Sequence, residues 1–258
     1  MGVTSDPPAP QQPPDSLYSD YFRKWNYADR TLGTFSMYWF ARRYYAVLVR
    51  RYAPEGAQRV LEVGCGLGDL AGLLSEHFSC VGIDQLDESV AESRRRAPHA
   101  DIRRMSAEDL SPFDDGSFDA VVSLHVIEHL TDPAHVINEV FRLLTPGGLW
   151  MFATPQPDYW LRRRKNPRTD AIGKDPTHIN VHGPQQWRSW CESSGFTVMR
   201  HFADGLWDVP YFPIVPKPAQ FAILGLPALL QVATRTTWTP VSMGVNQILV
   251  CRRPDSGP

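Results

Sequence analysis

Hydrophobic and polar positions alternate along this chain with two distinct periods. Phe40, Tyr44, Val47 and Leu48 fall at helical spacing in FSMYWFARRYYAVLVRRYAPEG, which stops at Pro54 and Gly56. That pattern predicts a helix from about Ser36 to Tyr52. Short apolar runs then alternate with amphipathic stretches. RVLEVG, CVGID, DIRRM, FDAVVSL and LWMFATP read as strands. DLAGLLSEHF and DESVAESRRRA read as the helices between the first three of them. Asp132 as N-cap, with Pro133 at the first helical position, opens the helix PAHVINEVFRLL, which ends at Thr145-Pro146-Gly147-Gly148. This alternation predicts βαβ units, hence a parallel sheet with helices on both faces and ligands at the carboxyl ends of its strands. Beyond Pro155 the rhythm changes. A polar loop (Pro155 to Gly183), a helix from about Pro184 to Ser194, a strand FTVMRHF, a long apolar insertion and a last strand NQILVCRR follow. Two strands without an obvious crossover helix predict an antiparallel addition at the sheet edge.

Composition narrows this to one α/β domain, or at most two small ones: 258 residues, 43% hydrophobic and 21% charged. The formal net charge of −2 gives no overall attraction to nucleic acid or acidic membranes. Cys65, Cys80, Cys191 and Cys251 form no C-x-x-C pair and suit free thiols in a reducing, cytoplasmic setting. The start, MGVTSDPPAPQQPPD, has neither the basic nor the apolar part of a signal peptide, and residues 1–17 read as a disordered Pro/Gln tail. The longest apolar run, Phe221 to Val232, is interrupted by Pro227 and is too short for a bilayer span.

The chemistry begins in LEVGCGLGD. Gly64, Gly66 and Gly68 follow the first strand, and Asp84 ends the second, placed to accept both hydroxyls of a ribose. A dinucleotide loop would read G-x-G-x-x-G and hold a pyrophosphate at the helix N-terminus. Here Asp69 takes the third glycine's place, where its carboxylate would repel a phosphate. Glu62, inside the first strand, needs a cationic or hydrogen-bonding partner. A ligand with a ribose, an ammonium group and no phosphate fits: S-adenosylmethionine.

VLEVGCGLGDLAGLL, VGIDQLDESV, AEDLSPFDDGSFDAVVSLHVIEHL and RLLTPGGLWMFATP resemble the successive motifs of class I S-adenosylmethionine-dependent methyltransferases. The resemblance is strongest from Arg59 to Thr154 and points to a small-molecule subgroup similar to the quinone-pathway O-methyltransferases. It implies a Rossmann-like, doubly wound, seven-stranded α/β sheet, mostly parallel with an antiparallel edge strand. It also implies one methyltransferase domain over 18–258, with an N-terminal helical cap (about 18–56) and the apolar insertion (about 205–243) near the acceptor site. Glu62, Gly64 and Gly66 would surround the methionine part of the cofactor, with Cys65 and Gly68 in the same loop. Asp84 would bind the ribose with Gln85 beside it, Ala107 and Glu108 would lie near the adenine, and Leu124 and His125 would border the sulfonium. The family's Leu-Pro-Phe run has an extra residue here, Leu110-Ser111-Pro112-Phe113. YWFARR resembles the N-terminal helix of one subgroup that closes over the cofactor, and Arg42 or Arg43 would clamp the methionine carboxylate.

HVIEH, from His125 to His129, matches in letters the H-x-x-E-H of a group of zinc peptidases. That chemistry needs a full helix, and here the string has room for at most one turn between a strand and the cap at Asp132. Some quinone-pathway O-methyltransferases carry Glu-x-x-Glu-His in the similar segment and bind a divalent ion there. His125 at the first ligand position softens such a set, and the expectation is no metal, with Glu128 bracing the loop and His129 packing locally. DPTHINVHG resembles a stretch near the acceptor pocket of related enzymes. Candidate general bases are His178 first and His125 second, because an imidazole is mostly free base at neutral pH.

Trp160 to Lys174 holds six basic residues and one acid and reads either as a grip for a phosphate, a carrier protein or RNA or as a solvated loop, with RNA the minor reading because the rest of the chain is not basic. The insertion LWDVPYFPIVPKPAQFAILGLPALLQVATRTTWTP reads as the wall of a pocket for a small or lipid-like acceptor, leaving peripheral membrane contact open. The expected activity is methyl transfer to a hydroxyl, with N- or C-methylation and a cofactor-binding protein that no longer methylates as alternatives. Oligomeric state is not legible.

Overall fold

The computed structural model describes residues 37–168 and 170–255. The expected tail and the first part of the cap, 18–36, lie outside the described residues. The N-terminal helix, α1, runs Met37–Tyr52. Strands β1 (Arg59–Val63), β2 (Ser79–Asp84), β3 (Asp101–Arg104) and β4 (Phe118–Leu124) follow, with α2 (Asp69–Ser75) and α3 (Asp87–Arg96) as crossovers. Asp132 caps α4 (Pro133–Leu143), its side chain accepting from His135 N, with Pro133 in the first turn as expected. Strand β5 (Leu144–Pro155) begins five residues earlier than its apolar run suggests. Thr145 to Gly148 enter as an irregular extension, and the register against β4 shifts between Phe118 and Ala120. The chain then forms α5 (Ala171–Lys174), α6 (Pro184–Ser193), β6 (Thr197–Ala203), α7 (Lys217–Leu224), α8 (Leu226–Thr234) and β7 (Asn246–Arg252).

The sheet order is β3-β2-β1-β4-β5-β7-β6, so the chain reverses direction of growth between β1 and β4, where open α/β sheets bind ligands. Pairs within β3-β2-β1-β4-β5 are parallel. β7 pairs antiparallel with both β5 and β6. The antiparallel addition is therefore at this end of the sheet, with β7 second from the edge and β6, parallel to β5, outermost.

The period of two along each strand splits the core into two layers. Val60, Ala120, Val122 and Met151 face α1 and α2, where Leu48, Val49, Leu70 and Leu74 are buried. Leu61, Val121, Trp150 and Phe152 face α4 and α6 with Ile137, Val140 and Trp187. Glu62 alternates onto the α1 side and so reaches the sheet's carboxyl edge from a buried strand position. Tyr159, Leu161 and Ile172 join Leu206, Tyr211 and Val245 in a third, smaller cluster that ties the polar loop to the insertion.

Candidate active site

A cavity opens at the carboxyl ends of β1, β2, β3 and β4, and its lining includes Glu62, Gly64, Cys65, Gly66, Asp84 and Gln85. It encloses about 200 Å³, against about 10 Å³ for an apolar void between Val63, Ile127 and Trp150. The first, unlike the second, can take an organic ligand.

The glycine turn is held by geometry that other residues cannot supply. Gly64 has φ 70°, and a Cβ there would lie 2.3 Å from Val126 Cγ2. Gly68, φ 81°, does not line the cavity. Its missing side chain lets α2 approach Ser93 of α3, since a Cβ would sit 2.9 Å from Ser93 Cα. Gly68 thus serves helix packing rather than the ligand-facing place expected for it. Asp84 closes the turn: one carboxylate oxygen accepts from Gly66 N and the other from Leu86 N, each at 3.0 Å. The Ser89 hydroxyl and Gln85 N–H also act on this carboxylate, so a ribose would share its acceptor sites with the loop. Burial pushes the Asp84 carboxyl up, partly opposed by these N–H groups.

Glu62 is buried, and its Oε2 has no hydrogen-bond partner among the described residues. Burial, partly countered by Arg42, raises its pKa to about 8. An ammonium group in the cavity would meet that orphaned oxygen. Asp69 starts α2 at the rim, and burial raises its carboxyl too, opposed by Arg96 at 3.4 Å. Arg42 lines the cavity and lies 4.3 Å from the centre of the Tyr38 ring. Arg43 instead packs 3.7 Å over Trp39 and is absent from the lining. Helical geometry, which turns consecutive residues about 100° apart, separates the two arginines.

At the third strand end the cavity is lined by Met105, Ser106 and Ala107. Glu108, expected beside an adenine, turns away: its carboxylate accepts from the backbone N and the hydroxyl of Thr131. The acid thus anchors the loop entering α4.

Leu124 and His125 line the cavity beyond β4. The string that follows is one 3-10 turn, Ile127–His129, and His125 lies outside it with φ 59°. A peptidase's pair of histidines on one helical face does not form. His125 Nδ1 is 3.4 Å from Glu128 Oε1, an ion-pair distance rather than an aligned hydrogen bond. Neither Glu128 oxygen has a hydrogen-bond partner among the described residues, although the side chain is fully buried. Burial acts to raise the Glu128 carboxyl, but the rings of His125, His129 and His178 outweigh it and hold the carboxyl below its usual value.

His178 does not line the cavity. Its Nδ1 lies 3.0 Å from Ile172 O, its Nε2 3.5 Å from Asp175 Oδ2, and its ring packs 4.9 Å from that of His129. Of the two candidate bases, His125 is therefore at the cavity and His178 behind it. The segment 175–182 is stitched onto the turn: Ile179 N and Asn180 N donate to Glu128 O, and Asn180 Nδ2 donates to Leu130 O. This docking brings together Glu128, His129 and His178, a group able to hold a metal ion, with ligand atoms within 4.8 Å of one another. His129 Nδ1 lies 3.0 Å from Thr177 O. Each ring is thus oriented by a backbone carbonyl at Nδ1, as metal-binding histidines commonly are, while His178 Nε2 also lies near Asp175. Sequence reasoning found Glu128 and His129 but set His178 in a different role. His129 was expected only to pack locally; its place in the cavity lining, and that of Thr177, depend on burial and backbone contacts that leave no mark in spacing.

A parallel sheet with a glycine turn, a strand-end acid and a pocket at the β1/β4 reversal defines an α/β nucleoside-cofactor protein. The family described as Methyltransferase domain (Methyltransf_23) matches residues 38–201, more than half of the chain, and the chain belongs to that family. It is a class I methyltransferase domain, with S-adenosylmethionine as its cofactor. A Mycolicibacterium smegmatis protein named "Probable S-adenosylmethionine-dependent methyltransferase" is 36% identical over 62% of this chain and 60% of its own length. A ubiquinone biosynthesis O-methyltransferase of Paracidovorax citrulli is 37% identical over 40% of this chain and 45% of its own. The chain thus spans less than two thirds of these curated relatives. Among solved structures, a SAM-dependent methyltransferase from Archaeoglobus fulgidus superposes with TM-score 0.57 at 17% identity, covering 92% of this chain and 99% of that one. The cyclase SpnF superposes with TM-score 0.56 at 23% identity over 84% of this chain and 82% of its own. These structural likenesses establish the fold, which proteins named for different chemistry share.

Proposed function

We propose that the protein methylates a hydroxyl oxygen of a small or lipid-like molecule, with His125 as the base and Glu128 as the residue that positions it. The observation that carries this reading is the His125 ring at the cavity with Nδ1 turned to the buried Glu128 carboxylate. When bound, S-adenosylmethionine supplies an activated methyl group on a sulfonium. Glu62 would hold its ammonium, Arg42 its carboxylate, Asp84 its ribose hydroxyls, and Met105 to Ala107 its base. With Nδ1 facing Glu128, His125 Nε2 is the ring atom that would take the hydroxyl proton as the oxygen accepts the methyl group and the sulfur keeps the electron pair of the broken carbon–sulfur bond. The imidazolium then lies against Glu128, whose negative charge favours its formation. Leu124, Val126 and Leu130 give this end of the cavity an apolar lining that keeps water from competing. The name of the Paracidovorax relative supports an oxygen acceptor.

The test is a screen of phenols, alcohols and amines with a labelled methyl donor, repeated with His125→Ala. Hydroxylated acceptors take the label. The variant loses about 10²–10³-fold in turnover while affinity for S-adenosylhomocysteine stays within about twofold. Equal transfer to amines by parent and variant, or no release of S-adenosylhomocysteine with any acceptor, would overturn the reading.

A second reading rests on the Glu128, His129 and His178 group. Two imidazoles and a carboxylate suit a first-row divalent ion, which would supply Lewis acidity toward a phenolic oxygen. Metal content of the purified chain and a cobalt titration followed by absorption separate the two readings. Stoichiometric binding lost in His178→Ala favours the metal, and full turnover after exhaustive chelation removes it.

A further inference from the structure

The insertion carries its polarity inside out. On α7 the fully buried side chain is Gln220, and on α8 the buried ones are Ala228 and Gln231. Gln220 accepts from Tyr211 N and Phe212 N and donates to Phe212 O and Val215 O. Gln231 donates to Ala203 O and accepts from Thr239 N. These amides satisfy the loop backbone from within. Aliphatic side chains face outward instead: Ile214 is 95% exposed and Ile223 70%, with Leu226 and Leu230 about half exposed. A surface helix of a soluble domain shows the opposite arrangement. None of the insertion's residues lines the cavity, so its expected part as a pocket wall is not what the geometry shows.

The insertion's exposed charge is of one sign. From residue 209 to 254 the chain has no acidic residue, while Lys217 and Arg235 are exposed. The third apolar cluster fastens the basic loop to the insertion, helped by Lys165 Nζ at 2.9 Å from Asp208 Oδ2. Arg162 is bridged to Asp170, but exposed Arg163, Arg164, Arg168 and Lys174 have no ion pair among the described residues. Because β6 runs parallel to β5, the insertion leaves it at the carboxyl edge of the sheet, the edge on which the cavity opens.

We propose that the insertion and the basic loop form a docking face for a bilayer surface bearing anionic lipids, with the cavity's edge of the sheet toward the membrane. Aliphatic tips enter the boundary between headgroups and acyl chains while the cations meet lipid phosphates. A second copy of this chain suits the face less well, since a two-fold contact would set Lys217, Arg235 and the loop cations against their own equivalents. The inference concerns where the protein works and does not depend on the acceptor atom.

The experiment is flotation of the full chain with phosphatidylcholine vesicles and with vesicles containing about a quarter phosphatidylglycerol, at low and high salt. The chain should float with the anionic vesicles, with binding falling as salt rises. Ile214→Ser with Ile223→Ser should weaken it about tenfold, and Arg163→Gln with Arg168→Gln should weaken it and flatten the salt dependence. The thermal midpoint and its shift with S-adenosylhomocysteine should stay unchanged in both pairs, reporting an intact fold. Failure to float with either vesicle, flotation unmoved by both pairs, or a dimer by light scattering that Ile214→Ser/Ile223→Ser dissolves without any vesicle binding would each overturn the proposal.

Discussion

Glu62 and Glu128 are both buried carboxylates at the carboxyl ends of neighbouring strands, yet their surroundings push them in opposite directions. Glu62 is raised to about 8 by burial, with Arg42 opposing only in part. Glu128 is more completely enclosed but is held below its usual value by three imidazoles. Burial alone therefore does not set the behaviour of an acid here; the company it keeps does. The cavity has one end that waits for a cation and another where a proton can be received.

The sharpest way to break the contrast is to neutralise the low end. Glu128→Gln should cut turnover about a hundredfold, leaving affinity for S-adenosylhomocysteine within about twofold by titration calorimetry. Next is the strand-end acid shared by loop and ligand. Asp84→Ala should weaken cofactor binding about thirtyfold and lower the thermal midpoint by a few degrees, since the Gly66 and Leu86 N–H groups lose their acceptor.

Glu62→Gln tests the high end and carries a pH signature. The folded pKa of about 8 lies above the ordinary 4.5, so the folded chain binds more protons than the unfolded one between these values. Stability from this group is fully present below about 4.5 and is lost as pH rises through about 8. The variant's stability should gain on the parent's by about 3–4 kcal/mol between pH ~5 and pH ~8, measured by denaturant unfolding. Parent affinity for S-adenosylhomocysteine should rise toward about pH 8, as the carboxylate forms to meet the ammonium, and the variant should lose that rise with about a tenfold weaker complex. The smallest effect belongs to α1. Arg42→Ala should weaken the cofactor about threefold and Arg43→Ala should leave it unchanged, since Arg43 packs on Trp39 away from the cavity.

How much of this was legible depends on the range of the interactions. The alternation of strands and helices, the cap at Asp132 and the glycine turn are set by residues close together in sequence, and all were visible there. Residues whose roles depend on docking were not. His178 meets Glu128 across fifty positions through backbone contacts of Ile179 and Asn180, which carry no side-chain signature. Glu108 sits in the right motif, but its carboxylate is taken by Thr131 on the loop entering α4, a contact that the motif does not show. The insertion's apolar content suggested an interior wall. Its outward-facing isoleucines emerge only once the two buried glutamines are seen occupying the inside.

The left-handed backbone at His125 has a further consequence, for which amino acids the turn can tolerate. At φ 59° a Cβ is disfavoured, and beyond glycine the residues that adopt this region most readily are asparagine, aspartate and histidine. A saturation library at this position should pass through two filters that select differently. Selection for abundance would enrich Gly, Asn, Asp and His, and selection for turnover would keep His alone, because the proposed base is the imidazole that reaches the cavity from this position. Histidine stands where the tolerance of the backbone and the demand of the chemistry overlap.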